Sequence, residues 1–366
     1  MRVRTGSRRR SRVGVAVACA EDHPPPRPDL PVLFAGSPHA VTYGGRVSFP
    51  PPPTTQPTAR PLGPPRAVGA RPVHAPSTGA THVGARVAAS MTALAAVVLV
   101  WQVWQYFVAT EEGQHLDQAA LRGSDYGRGT LWALGEPVLD VVSVSFVVLG
   151  LGTAMGIALL RRRWGLAVQV AFVVVGSNIT TQLLKKSVLD RPDLIGGGWG
   201  VGNTLPSGHT TVAASVAVAL LLAVPRAARP VVAVLGGTYT AATGVSTLIG
   251  HWHRPSDVVA ALLVVTAWTA LALALTPTSA LDPVPARGSG AYPGSVVVAV
   301  LLFLGAGAAL LGAAWCLREV HPASWDMTDL AETTAYVGGA LGVVAVTAIS
   351  FAVLLLLRQA TSRPET

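Results

Sequence analysis

Residues 246–276 read STLIGHWHRPSDVVAALLVVTAWTALALALT. After Asp257, nineteen residues pass without a charge, close to the roughly 20 that an α-helix needs to cross about 30 Å of hydrocarbon. Amides in hydrocarbon find no water, so such a run is a helix and not a strand. At its mouth stand His251, His253, Arg254 and Asp257. One stretch therefore sets the fold class, a membrane helix, and raises the chemical question of what these groups do at a bilayer boundary.

The rest of the chain follows the same rule. Of 366 residues, 51% are hydrophobic and 12% charged, whereas a soluble domain carries about a quarter charged residues. Apolar segments lie near 87–109, 138–160, 164–184, 208–225, 230–250, 256–276, 294–317 and 334–357. They predict an all-α polytopic bundle of eight spans: a six-helix core over 85–276, then two additional transmembrane helices and a short tail over 277–366. The fourth span is short because its first turn, PSGH (206–209), belongs at the interface. Residues 1–84 hold 11 Arg against 3 acids, and 16 of the 28 prolines fall within 24–76, so this segment is expected to be a disordered tail. Its first 20 residues also admit a signal-peptide reading, and a start near Val83 or Met91 is a third.

The formal charge of +9 sits mostly in that tail. A basic segment beside a membrane marks the cytoplasmic flank rather than a nucleic-acid surface, and no nucleic-acid partner is expected. Arg161, Arg162, Arg163, Arg226, Arg229, Arg287, Arg358 and Arg363 fall on the same side in this topology. Glu111, Glu112, Asp117, Asp125 and Glu136 read as a solvated outer loop. Lys185, Lys186 and Arg191 break the pattern, standing outside where the positive-inside rule puts no cations. Cys19 and Cys316 form neither a disulfide framework nor a metal-ligand pair.

Three outer segments then share one face: KKSVLDRPD (185–193), LPSGHTT (205–211) and the opening stretch. Lys185 and Arg191 offer fixed positive charge, and Ser207-Gly208 opens a helix whose free amides favour an anion. His209 and His253 titrate near neutrality, so one can attack while the other moves a proton. With a helix starting at Pro255 or Ser256, Asp257 lies in its first turn and can hold one imidazole nitrogen of His253, leaving the other as a lone pair. Taken singly, these residues also read as snorkelling anchors, structural histidines and a helix cap, and the glycine-rich loop 194–203 reads as flexible.

PSGH, followed some 40 residues later by HxxxD, with Lys and Arg-Pro upstream, resembles the type 2 phosphatidic acid phosphatase superfamily of integral membrane lipid phosphatases, in an actinobacterial-type variant. The resemblance covers about residues 87–276. It implies His253 as the nucleophile of a phosphohistidine intermediate, Asp257 as its partner and His209 as the acid on the leaving oxygen. Lys185, Arg191, Ser207 and Gly208 become the phosphate cradle, with no metal or cofactor. Two departures stand out: five residues instead of six separate Lys185 from Arg191, and Thr247 occupies the position of a family arginine, for which Arg254 and His251 are the nearest replacements. The expected substrate is a membrane lipid phosphate or diphosphate of the undecaprenyl diphosphate, phosphatidate or phosphatidylglycerol phosphate type, met at the extracytoplasmic face of the plasma membrane, with a homodimer as a possible assembly. Phosphotransfer instead of hydrolysis and a non-catalytic transporter or binding protein for an anionic lipid or small anion remain the alternatives.

Overall fold

Apolar runs that satisfy their own amides become helices, and the computed structural model is all-α among the residues it describes: 80–125, 128, 132, 133, 135–137, 144–282, 293–320 and 328–362. The helices are α1 Ala80–Phe107, α2 Glu111–Gly123, α3 Val144–Leu160, α4 Trp164–Leu183, α5 Trp199–Gly202, α6 Gly208–Ala223, α7 Arg229–Ile249, α8 Pro255–Ala274, α9 Pro293–Glu319 and α10 Asp329–Thr361. Among the described residues, six helical stretches are long and apolar enough to cross a membrane, beginning at Val83, Trp164, Arg226, Pro255, Pro293 and Asp329. α6 is shorter, bounded by its Ser207 cap and by Pro225. The second expected span is described only from Val144, and nearly all of the predicted tail lies outside the described residues.

α8, the helix of the opening stretch, is the most enclosed of these spans, while α1 and α9 are mostly exposed to what would be lipid. It packs on α1, α4, α6 and α10, and its Leu262, Val265 and Leu273 join Leu166, Leu221, Leu248, Phe351 and Leu354 in the main core. α10 lies along α9, α2, α8 and α7. Two glycines permit this closeness: a Cβ at Gly339 would press on the Pro255 ring, and one at Gly123 would meet the backbone of Glu332. Arg122 pairs with Glu332 across the same junction.

At the opposite end, Asp282 gathers the loops expected to be cytoplasmic. Its carboxylate accepts from Arg163 Nη1 at 3.0 Å, Arg226 Nε at 2.7 Å, Arg229 Nη2 at 2.8 Å and Ser362 Oγ at 2.8 Å. Arg358 lies fully buried beside this group and donates to Leu222 O at 3.0 Å. Arg163, Arg226, Arg229 and Arg358, four of the arginines expected on one side, thus meet at one end of the bundle as buried members of a network and not as solvated topological markers; Arg287 and Arg363 lie outside the described residues.

Candidate active site

The first turn of α8 is built by its own sequence. Pro255 occupies the first helical position, where a missing N–H costs nothing, and Asp257 Oδ2 accepts from the Arg254 N–H at 3.1 Å. The cap is Arg254, not Ser256. The preceding loop folds onto the end of α7, where Thr247 O accepts from the amides of Trp252 at 3.0 Å and His253 at 3.3 Å. His251 takes φ 60° in that turn, and its Nε2 sits 3.1 Å from Asp125 Oδ1.

This folding puts His253 Nδ1 3.1 Å from Asp257 Oδ2. Thr204 Oγ1 lies between them, donating to Asp257 Oδ2 at 2.6 Å and standing 2.8 Å from His253 Nδ1. With the hydroxyl proton spent on the carboxylate, Thr204 accepts from Nδ1–H, so Nε2 carries the lone pair. His253 and Asp257 are buried. Thr204 did not emerge from the sequence reading, since a threonine two residues before a proline carries no signal of its own.

α6 approaches from the other side. A cis Leu205–Pro206 peptide precedes Ser207, whose N–H donates to Asp257 O at 2.9 Å and whose Oγ caps Thr210 N at 3.3 Å. The PSGH and HxxxD motifs are thus joined through main chain. Gly208 and His209 carry the first two amides of α6, which geometry leaves without an intrahelical acceptor, and a Cβ at Gly208 would meet only the Gln182 side-chain amide, at 3.9 Å. The His209 ring centroid is 5.8 Å from that of His253 and 5.2 Å from that of Trp252. Ser207 itself is buried as cap and latch.

The cations come from the end of α4. The helix widens into a single π turn, Leu184–Val188, a feature frequent at functional sites, and this turn carries Lys185, within electrostatic reach of Asp257, Arg191 and His209. Arg191 is held by loop oxygens: Nη2 donates to Leu205 O at 2.8 Å and Nε to Asn203 Oδ1 at 3.2 Å. Burial lowers its pKa, with Asp257 acting against that. Lys186 is exposed. The following loop is shaped as much as flexible, since Gly196, Gly197 and Gly198 run at φ 75°, 72° and 79°, a region that side chains disfavour.

The two replacements considered for the missing family arginine fare differently. Thr247 is buried, with its hydroxyl turned back to Gly244 O at 2.7 Å. His251 points to Asp125, and Arg254 donates from Nη1 to Gly202 O at 3.0 Å and from Nη2 to Gln118 Oε1 at 2.7 Å. Arg254 therefore braces the walls of the site.

One expectation is overturned. The segment after the first span forms α2, capped by Thr110; Glu111, Glu112, Asp125 and Glu136 are exposed as expected, but Asp117 is buried, 1% exposed. Gln114, Asp117 and Gln118 share one helical face (i, i+3, i+4), which turns inward. Gln114 Nε2 donates to Pro192 O at 2.8 Å and its Oε1 accepts from Leu194 N at 3.1 Å. Asp117 accepts from Ser256 Oγ at 2.5 Å and Ser256 N at 3.3 Å. Burial pushes the Asp117 pKa up to about 7, helped by the charge of Asp257 and opposed by Ser256 and Arg254.

The site can hold an anion between cations and helix amides, with a nucleophilic nitrogen on one side and a second imidazole on the other. No curated protein and no solved structure matches the chain. The PAP2 superfamily model matches residues 166–280, from α4 to just beyond α8, and so contains Lys185, Arg191, Ser207, Gly208, His209, His253 and Asp257. This match covers about a third of the chain; the PAP2 superfamily's general activity is that of a phosphatase on phosphate esters, and among the described residues six helices are long and apolar enough to cross a membrane.

Proposed function

We propose that the chain removes phosphate from a lipid phosphate or diphosphate at the extracytoplasmic face of the plasma membrane, through a phosphohistidine on His253 and with no metal. The observation that carries this reading is the Thr204–His253–Asp257 arrangement, in which one carboxylate oxygen serves both partners and Nε2 is left as the nucleophile. The site opens at helix ends rather than at the bundle centre, the depth at which a lipid headgroup lies.

In the first step the His253 Nε2 lone pair attacks phosphorus and the bond to the leaving oxygen breaks. Protonated His209 gives its proton to that oxygen. The phosphoimidazolium keeps its Nδ1 proton and positive charge, which Asp257 offsets, while Lys185, Arg191 and the Gly208 amide hold the phosphoryl oxygens. In the second step His209 takes a proton from water, whose oxygen attacks phosphorus and returns the electron pair to Nε2. Inorganic phosphate leaves. Undecaprenyl diphosphate, phosphatidate and phosphatidylglycerol phosphate present the same group to this chemistry.

The test is phosphate release by purified, detergent-solubilised protein across a panel of lipid phosphates, with acid-labile label trapped on the protein from a phosphorus-labelled substrate. His253→Ala is expected to abolish both release and trapping. A His209 substitution is expected to slow both. Full activity in His253→Ala would refute the reading.

A further inference from the structure

We infer that α2 is a positioning element of this active site: Asp117 and Gln118, by holding Ser256 and Arg254, fix the turn that presents His253 and Asp257 to phosphorus. The inference rests on the proposed role of His253 and goes beyond it, because α2 lies outside the residues that match the superfamily model.

Three observations carry it. First, the contacts converge on two residues of the catalytic turn, Arg254 and Ser256. Asp117 takes the amide and hydroxyl of Ser256, and Gln118 takes Arg254 Nη2, so both residues between His253 and Asp257 that carry polar side chains are tied to α2. Second, packing alone does not hold this turn. A half-open pocket of about 280 Å³ lies behind it, lined by Asp117, Pro255, Ser256 and Val259 and by residues of α9 and α10 such as Leu317 and Gly339. Pro255 packs against Gly339, and on the α2 side the turn is held by three hydrogen bonds. Third, the same face of α2 reaches the other arm of the site, since Gln114 bridges the main chain of Pro192 and Leu194 beside Arg191. One short helix thus sets the spacing between the Arg191 loop and the His253 turn. A buried carboxylate is a costly way to fill such a place, and an apolar side chain would have satisfied packing.

The test compares Asp117→Ala, Asp117→Asn and Gln118→Ala with the wild type in the full chain, in detergent. A misplacement of about an ångström at a reacting group costs on the order of 100-fold. Asp117→Ala is expected to lower kcat 10- to 100-fold with KM within about 3-fold, and Asp117→Asn, which keeps one acceptor for Ser256, to recover most of that loss. Calorimetry is expected to show orthovanadate, which mimics the five-coordinate phosphorus, bound at least 10-fold more weakly by Asp117→Ala, with inorganic phosphate nearly unchanged. Gln118→Ala alters no buried carboxylate and serves if Asp117→Ala does not fold; kcat is expected to fall several-fold at an unchanged melting temperature. Wild-type kcat in the folded variants overturns the inference, as does a loss of kcat in Asp117→Ala that follows lost thermal stability and is not restored by Asp117→Asn. A wild type that neither releases phosphate nor binds vanadate overturns the phosphatase reading instead.

Discussion

Asp117 and Ser256, 139 residues apart in sequence, meet through two hydrogen bonds in the interior of the protein. The carboxyl group of Asp117 is held at a pKa of about 7, from an ordinary 3.8, chiefly by burial. Between those values the folded protein keeps a proton that the unfolded chain has released, so this group makes stability fall as pH rises from about 4 to about 7. Asp117→Asn removes that dependence. The melting temperature of Asp117→Asn relative to wild type is expected to rise across that window, by the equivalent of a few kcal/mol at most, and to level off above it. Parallel melting curves at every pH would show that the carboxyl is not strained by burial. Gained stability in Asp117→Asn together with lost activity in Asp117→Ala would mark a residue kept for function.

Thr204 makes a second prediction. Its hydroxyl touches both members of the His253–Asp257 pair, at 2.8 and 2.6 Å. Valine has the same shape but leaves Asp257 Oδ2 one donor short and frees the imidazole to rotate. Hydrogen bonds to charged groups are worth about 1.5–3 kcal/mol. Thr204→Val is therefore expected to slow phosphoenzyme formation in single-turnover experiments by roughly 10- to 100-fold, with Thr204→Ser close to wild type. An unaffected rate in Thr204→Val would remove the threonine from the site.

The contact of Gly339 with Pro255 couples the last helix to the first turn of α8. A methyl group there must displace a rigid proline ring that directly follows Arg254. Overpacking of this kind costs about 1–3 kcal/mol, and the displacement falls on the catalytic turn. Gly339→Ala is expected to lower both the melting temperature and kcat. Gly342→Ala, one turn further along α10, meets nothing within 4 Å and is expected to leave both unchanged, so equal effects of the two substitutions would count against the coupling.

Orientation has a direct check at Leu194. The residue is 43% exposed in the loop beside Arg191, and its main-chain bond to Gln114 survives substitution. In a Cys19→Ser background, with Cys316 buried, Leu194→Cys is expected to react with a membrane-impermeant thiol reagent on intact cells. Reaction only after lysis would turn the site toward the cytoplasm.

The sequence made the helices legible because their signal is composition over some twenty residues, and the paired motifs legible because PSGH and HxxxD carry their chemistry in side chains at fixed spacing. Three things escaped it, each because it depends on contact between distant segments. Thr204 gained meaning only when its loop folded against α8. α2 had readable start signals, Thr110 followed by Glu111 and Glu112, but its acids suggested solvent, and only the packed bundle turns Asp117 inward. Arg254 reads by position as a phosphate ligand, and only the folded chain shows that its Nη atoms also bond Gly202 and Gln118. That Arg163, Arg226, Arg229 and Arg358 meet in one buried network was not legible, because charge in a sequence does not say whether a carboxylate waits nearby.

That carboxylate, Asp282, gives the last prediction. Arg229 is fully buried and relies on Asp282 for charge compensation, with Gln359 and Ser362 accepting from its Nη1. Removing one partner of a buried ion pair strands the other, at about 3–5 kcal/mol. Asp282→Ala is expected to lower the melting temperature accordingly and to loosen α10, whose Ser362 and Arg358 end at the same cluster. The surrounding guanidinium groups, Arg229 foremost, outweigh burial and hold the Asp282 pKa well below the ordinary 3.8. A lowered carboxylate pKa adds stability that is fully present above the unfolded value and disappears as pH falls through the folded one. The difference between wild type and Asp282→Ala should therefore be constant from pH 5 to 8, by about the same cost, and shrink only in stronger acid. A difference that vanishes near neutral pH would mean that the aspartate is not the counter-charge of this cluster.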